Sequence, residues 1–381
     1  MENNNIKNRY FFLLILTIAT AIGFQGWRTL LNNFAVNEAN ILGNQMGIIQ
    51  SVREIPGFLA LLVVFILLII KEEILAILSL SLLAIGVTLT GFFPSYYGLI
   101  FTTLLMSTGF HYYETVNQSL TLQYFSKKET PLIMAKFKSI GAFINIITGL
   151  SIFILMKYLS YKWMFIILGT IVAVLIAYSL IYLPNKDNLP VQRKNMILRK
   201  KYWLFYTLTF LAGARRQIFV VFSVFLMVKK FNFTISEITI LFVINNLVNM
   251  IFMPLVGKAI NKFKEKKVLT IEYTLIIPVF LVYAYVENRY IIMAVYIIDH
   301  LVFNFSLAIK TFFQKIADEK DIAPSMAVAF TINHIAAVVI PALGGALWIL
   351  DYKIPFIIGV VIAITSLIFV QMIPQEVKKD I

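Results

Sequence analysis

Apolar runs of about 20 residues or more recur along this chain, each long enough for a helix to cross the ~30 Å hydrocarbon core of a bilayer. Breaks at charge clusters, prolines and glycines divide the 381 residues into twelve of them. They lie at 10–34, 44–70, 73–93, 96–123, 131–156, 162–183, 202–228, 235–260, 267–286, 290–314, 323–349 and 353–373. A soluble chain of this length carries its apolar residues in shorter segments; here 60% of residues are hydrophobic and 14% are charged. Backbone polar groups in hydrocarbon must be satisfied within the span, so each run reads as a helix. The expected fold class is all-α, a polytopic membrane protein of twelve transmembrane helices.

The formal net charge is +14, from 33 Lys and Arg against 19 Asp and Glu. Its distribution argues against a nucleic-acid surface. Twenty of the basic residues fall at the termini and in alternate loops, six of them between Lys186 and Lys201 and five between Lys258 and Lys267. Six fall in the intervening loops and seven within runs. That asymmetry is the positive-inside pattern, so both termini and the central loop are expected in the cytoplasm. The run from Tyr10 to Leu31 has no small-residue cleavage site at a secretory spacing and reads as a retained first helix. Frequent Ile, Asn and Lys suit an AT-rich bacterial genome, hence a bacterial inner membrane. With no cysteine in the chain, disulfides, Fe–S clusters and thiolate metal sites are excluded.

The loop 184–201, rich in Asn, Lys and Arg with two prolines, divides the chain into 1–183 and 202–381, with six runs on each side. The halves correspond. Gly26-Trp27-Arg28 matches Gly213-Ala214-Arg215, 187 positions on; Arg53-Glu54 matches Asn245-Asn246, 192 positions on; Pro131 matches Pro324, 193 positions on. Two pseudo-symmetric six-helix bundles are therefore expected, a repeat built into transporter folds.

This six-plus-six arrangement, with cytoplasmic termini and a basic central loop, resembles the major facilitator superfamily over nearly the whole chain. Gly257-Lys258-Ala259-Ile260-Asn261-Lys262-Phe263-Lys264-Glu265-Lys266 is similar to the family's Gly-x-x-x-Asp-Arg-x-Gly-Arg-Arg loop. Asn261 stands for its acidic residue and Lys264 for its second glycine. Pro341-Ala342-Leu343-Gly344-Gly345 resembles the Pro-x-x-Gly-Gly end of the antiporter motif, but lies in span eleven rather than span five. The resemblance implies alternating access about a central cavity beside spans one and seven. It gives Arg53, Gly257, Asn261 and Lys262 gating or structural roles.

Charged residues within spans are costly in hydrocarbon and mark the places where function is expected. Arg28 and Arg215 can hold a carboxylate or phosphate bidentately; a helix-fixing bridge, such as Arg28 to Glu54, is the structural alternative. Arg216 lies about 100° further round the helix. Gln217, Asn245, Asn246 and Asn304 are further substrate-binding candidates. Lys310 either adds to an anion site or snorkels toward Lys315.

Proton-coupling candidates are Glu54, the pair His111 and Glu114 on one helix face, the neighbours Asp299 and His300, and His334. Histidine is the side chain most easily moved across physiological pH; for each of these groups a hydrogen-bonded packing role is the alternative.

Three His with Glu114 and Asp299 could offer N and O ligands to a metal. No two His lie four apart, however, and Arg28, Arg215 and Lys310 would oppose a cation, so neither metal nor cofactor is expected. A nucleotide-binding Gly-x-x-x-x-Gly-Lys-Ser/Thr loop is absent. Loops this short leave an enzyme little room for a catalytic site, even with His111 and Glu114 as an acid–base pair. The expectation is a monomeric secondary transporter of a small organic anion or amphipathic zwitterion, coupled to protons. Efflux of lipophilic drugs or lipids, with the charges structural, is the competing reading.

Overall fold

The computed structural model describes residues 2–184, 189–193, 195–196 and 198–374, and they are almost entirely helical. In order the helices are α1 (Glu2–Asn37), α2 (Gly43–Phe58), α3 (Val63–Ile66), α4 (Glu72–Thr90), α5 (Tyr96–Tyr124), α6 (Thr130–Leu155) and α7 (Tyr161–Ser179). After the central loop come α8 (Trp203–Gln217), α9 (Val224–Lys229), α10 (Ile235–Tyr285), α11 (Arg289–Phe303), α12 (Leu307–Ile316), α13 (Ile322–Leu350) and α14 (Ile354–Gln371). Among the described residues, nine helical stretches are each long and apolar enough to cross a membrane. One of them, within α10, holds the eighth and ninth runs; α5 and α13 account for the other two.

Caps explain several starts. The Ser95 hydroxyl accepts from Gly98 N at the head of α5. Thr234 and Glu237 form a reciprocal capping box on α10, and Asn288 accepts from Tyr290 N and Ile291 N on α11. Glu72 and Glu73, at the junction of the second and third runs, open α4 and are buried. Ser119 and Gln123 donate to Glu72, and Tyr124 donates to Glu73. Carboxylates suit that end of the helix dipole.

Within α10 the eighth and ninth runs are two helices that meet at a kink at Lys264, where φ is 67° and ψ is 163°. That backbone region belongs almost only to glycine and costs another residue about 1–3 kcal/mol. Lys264 is the position at which the family motif carries its second glycine, and its backbone here is one that favours glycine. Lys264→Gly is expected to raise stability by about 1 kcal/mol in thermal unfolding of the purified protein. Lys264→Ala should give no such gain.

The described residues pack into two compact units. Unit 1 is Met1–Ser126, Ile140–Ile197 and Glu319–Thr331; unit 2 is Lys127–Ser139, Leu198–Asp318 and Ile332–Ile381. The first turns of α6 thus pack in unit 2, and those of α13 in unit 1. In unit 2, Gly257 explains the close approach. A Cβ there would lie 2.7 Å from Pro131 O, while Asn261 donates to Lys128 O at 2.7 Å and Ser139 to Met250 O at 2.5 Å. In unit 1, Leu61 N donates to Thr331 Oγ1 at 2.8 Å. The central loop adds a clamp: Arg193 pairs with buried Asp321 at 2.7 Å, and Gln192 bonds Glu319 O and Ala323 N.

Around α4 in unit 1, α5 and α7 pack closely. A Cβ on Gly109 would come within 2.4 Å of Ser79 O. Trp27 is fully buried there and donates to Thr90 Oγ1 at 3.2 Å. Unit 2 has its core where Phe219, Phe280, Tyr283 and Phe356 meet between α8, α10, α11 and α14.

Candidate functional site

Unit 1 presents a polar face. On α1, Arg28, Asn32 and Asn33 are exposed, and Gln25 and Thr29 half-buried. At 100° per residue these five fall within an arc of about 140°. Trp27, Leu30, Leu31 and Phe34 bury the opposite side, and Gly26 fits against Leu168 where a Cβ would be 2.7 Å from a side-chain methyl. A guanidinium in the middle of an apolar helix is tolerated facing water or protein, not lipid. The arc therefore suits water or a protein neighbour rather than lipid.

Beside it, Phe24 stacks on Phe110 of α5 at 3.9 Å, and Phe110 meets the ring of His111 edge-on at 5.0 Å. Ser107 donates its hydroxyl proton to the carbonyl of Arg53 on α2. Its oxygen and its own carbonyl each lie 2.9 Å from His111 Nδ1. Both are acceptors there, so Nδ1 carries a hydrogen. Arg53 and Glu54 pair at 2.8 Å, with about a quarter of each side chain exposed (23% and 29%). Glu114, half-buried, accepts from Gln118 at 3.4 Å.

Unit 2 treats its matching position differently. Arg215 is fully buried on α8, and its Nη2 donates to Glu272 Oε1 at 2.5 Å. Its guanidinium carbon lies 4.8 Å from the Phe303 ring and 5.7 Å from the Tyr273 ring. Gly213 fits against Asn333, where a Cβ would be 2.8 Å from the amide. Directly after Gln217 the chain makes a π-helical turn, Ile218–Ser223, a departure common at functional sites. Arg216 and Gln217 are half-buried on its near side. Arg28 and Arg215 thus share a sequence context and have opposite surroundings.

Asp299 is fully buried on α11. The next residue, His300, is turned to Asn249, whose amide nitrogen lies 2.9 Å from Nε2. Asn304 donates to Asn249 Oδ1 at 2.6 Å and to His300 O at 3.1 Å. This chain orients the Asn249 amide as donor, so neutral His300 is hydrogenated at Nδ1. Asn245 is buried and half-buried Asn246 donates to Phe242 O at 2.9 Å. His334 is buried on α13, and Lys310 half-buried on α12. Gly257 and Asn261 face the start of α6, and Lys262 lies over the Phe263 ring at 5.3 Å.

Glu272, Asn249 and Ser107 are absent from the sequence-based candidates. The signal for Glu272 was the one that picked out Arg215, an ionisable residue inside an apolar run.

The chain matches the Major Facilitator Superfamily over residues 11–320 and 205–380. Among solved structures it is similar to FucP, a transporter of that superfamily, in its outward conformation, at 14% identity and a TM-score of 0.76, covering 96% of this chain and 99% of that one. The human organic anion transporter MFSD10 (TETRAN) aligns at 12% identity and a TM-score of 0.73, with 97% and 99% covered. A bacterial homologue of the iron transporter ferroportin, outward-facing with soaked iron, aligns at 11% identity and 0.76, with 96% and 99% covered. No curated protein sequence matches this one. At such identities the structural likeness is one of fold. Matched from residue 11 to residue 380, the chain belongs to the major facilitator superfamily and is a multi-pass membrane transporter rather than an enzyme.

Proposed function

We propose that this transporter moves a small organic anion, or an amphipathic zwitterion held by its anionic end, with protons as the coupling ion. The observation that carries this reading is the polar arc of α1, with Arg28 exposed among Gln25, Thr29, Asn32 and Asn33. An exposed guanidinium among neutral polar side chains can hold a carboxylate or phosphate bidentately. MFSD10 is an organic anion transporter and FucP a fucose:proton symporter, which lends the substrate class and the coupling ion some weight. In unit 2 the groups offered to a ligand are Arg216, Gln217, Asn245, Asn246 and Asn304. Glu54, His111, Glu114, Asp299, His300 and His334 are the titratable groups available for coupling. Gly257, Asn261 and Lys262, with Arg53, serve gating or packing. The protein works as a monomer in a bacterial inner membrane, with both termini in the cytoplasm.

The competing reading, export of lipophilic compounds or lipids, draws on the stacked Phe24–Phe110 pair beside Arg28. Proteoliposome uptake of labelled small carboxylates under an imposed pH gradient separates the two. The proposal predicts accumulation of a carboxylate that collapses when a protonophore is added. Transport of lipophilic cations or lipids alone would replace it with the export reading.

A further inference from the structure

Arg215, Glu272 and Asp299 bring three formal charges together in unit 2, and each side chain has 0% exposure. Arg215 is paired with Glu272 at 2.5 Å, its charge also acts on Asp299, and Asp299 acts on Glu272. The cluster is one positive charge short of neutral. Neither oxygen of Asp299 receives a hydrogen bond, nor does Glu272 Oε2, while Nε and Nη1 of Arg215 have no acceptor. An ionised carboxylate with both oxygens bare in that setting carries a desolvation cost that one guanidinium, already paired elsewhere, does not offset.

Charges on the surrounding elements do not close the gap. Lys138, on α6, acts on Glu272 and His300, but its side chain is exposed and screened by water. His300 is turned to Asn249. Tyr273 and Tyr283 on α10 and Phe303 on α11 are neutral. The helices also depart from α geometry close by, at the π-turn after Arg215 and in a 3-10 turn at Asn304–Ser306.

We infer that Arg215, Glu272 and Asp299 form a buried site for one monovalent cation, a proton or a sodium ion, with Asp299 as its principal ligand. The existence of the site follows from charge and burial; its use as the seat of the coupling ion rests on the transporter reading above. Asp299→Asn and Glu272→Gln each bring the cluster to formal neutrality with little change of shape, so both variants are expected to fold.

The test uses full-length protein in detergent, without transport substrate. In the sodium arm, melting temperature is followed as sodium chloride replaces choline chloride at constant ionic strength. In the proton arm, infrared difference spectra between alkaline and acidic buffer are searched for a carboxylic-acid carbonyl band. The site predicts one of two results in the native protein: a saturable sodium-dependent rise in melting temperature, or a carboxylic-acid band that appears on acidification or is already present at neutral pH. Whichever occurs should be lost in Asp299→Asn and kept in Glu38→Gln, a change at an exposed carboxylate. A native protein showing neither, or a signal unchanged in Asp299→Asn, overturns the site. Because neither arm needs an organic substrate, a positive result with no anion transport would retain the site and remove the anion reading, and the converse pattern would do the opposite.

Discussion

Replacing Arg215 with methionine should cost about 3–5 kcal/mol of stability, because it leaves Glu272 and Asp299 buried together with no cation between them. Adding Glu272→Gln should restore part of the loss by removing one of the two stranded charges, so the two substitutions are non-additive. Thermal unfolding of the four proteins in this cycle, in one detergent, measures it. An Arg215→Met protein as stable as the native one, or a double variant no better than Arg215→Met, would contradict the buried-pair account. Sequence reasoning alone would treat Arg215 and Arg28 as equivalent anion ligands. The structure makes removal of Arg215 a structural lesion first, and a transport defect in that variant is interpretable only beside its stability.

Arg28→Gln is the complementary case. Its side chain is exposed, so the substitution should cost far less stability than removal of the fully buried Arg215. Losing a charge-assisted contact to the substrate costs about 2–5 kcal/mol, which lowers kcat/KM for anion transport by about 30-fold to a few thousand-fold. Arg28→Lys should recover part of that loss, since it keeps the charge and loses the bidentate fork. The readout is initial uptake into proteoliposomes at matched protein content. Unaltered uptake by Arg28→Gln would assign the residue to helix packing and favour the lipophile-export reading.

Much of the architecture was legible because it depends on patterns within single segments. Apolar run length marks the helices, and the Gly-x-Arg repeat marks positions where a small residue allows close packing, at Gly26 against Leu168 and at Gly213 against Asn333. What could not be read is set by neighbours distant in sequence. Arg28 and Arg215 differ because a carboxylate, Glu272, lies 57 positions beyond one of them. Glu72 and Glu73 look like a junction between runs until α5 supplies Ser119, Gln123 and Tyr124. Gln192 and Arg193 look like linker until they meet residues 319–323. Lys264 is different again: its departure from the motif was visible, but the glycine-favouring backbone conformation there was not. Trp27, Tyr113 and Tyr296, close in sequence to polar positions, are core residues.

The central claim, that Arg28 on the polar face of α1 receives an anionic substrate, is tested most directly by ligand-dependent stabilisation. Melting of the detergent-purified protein is followed against panels of small carboxylates, organic phosphates, lipophilic cations and lipids, with Arg28→Gln in parallel. A ligand at about 100 times its Kd stabilises the folded state by roughly 2.7 kcal/mol, a readily measured shift. The account predicts stabilisation by at least one class of small anion, lost in Arg28→Gln while that variant still unfolds cooperatively without ligand. Stabilisation by lipophilic cations or lipids alone, or by anions equally in both proteins, would contradict it.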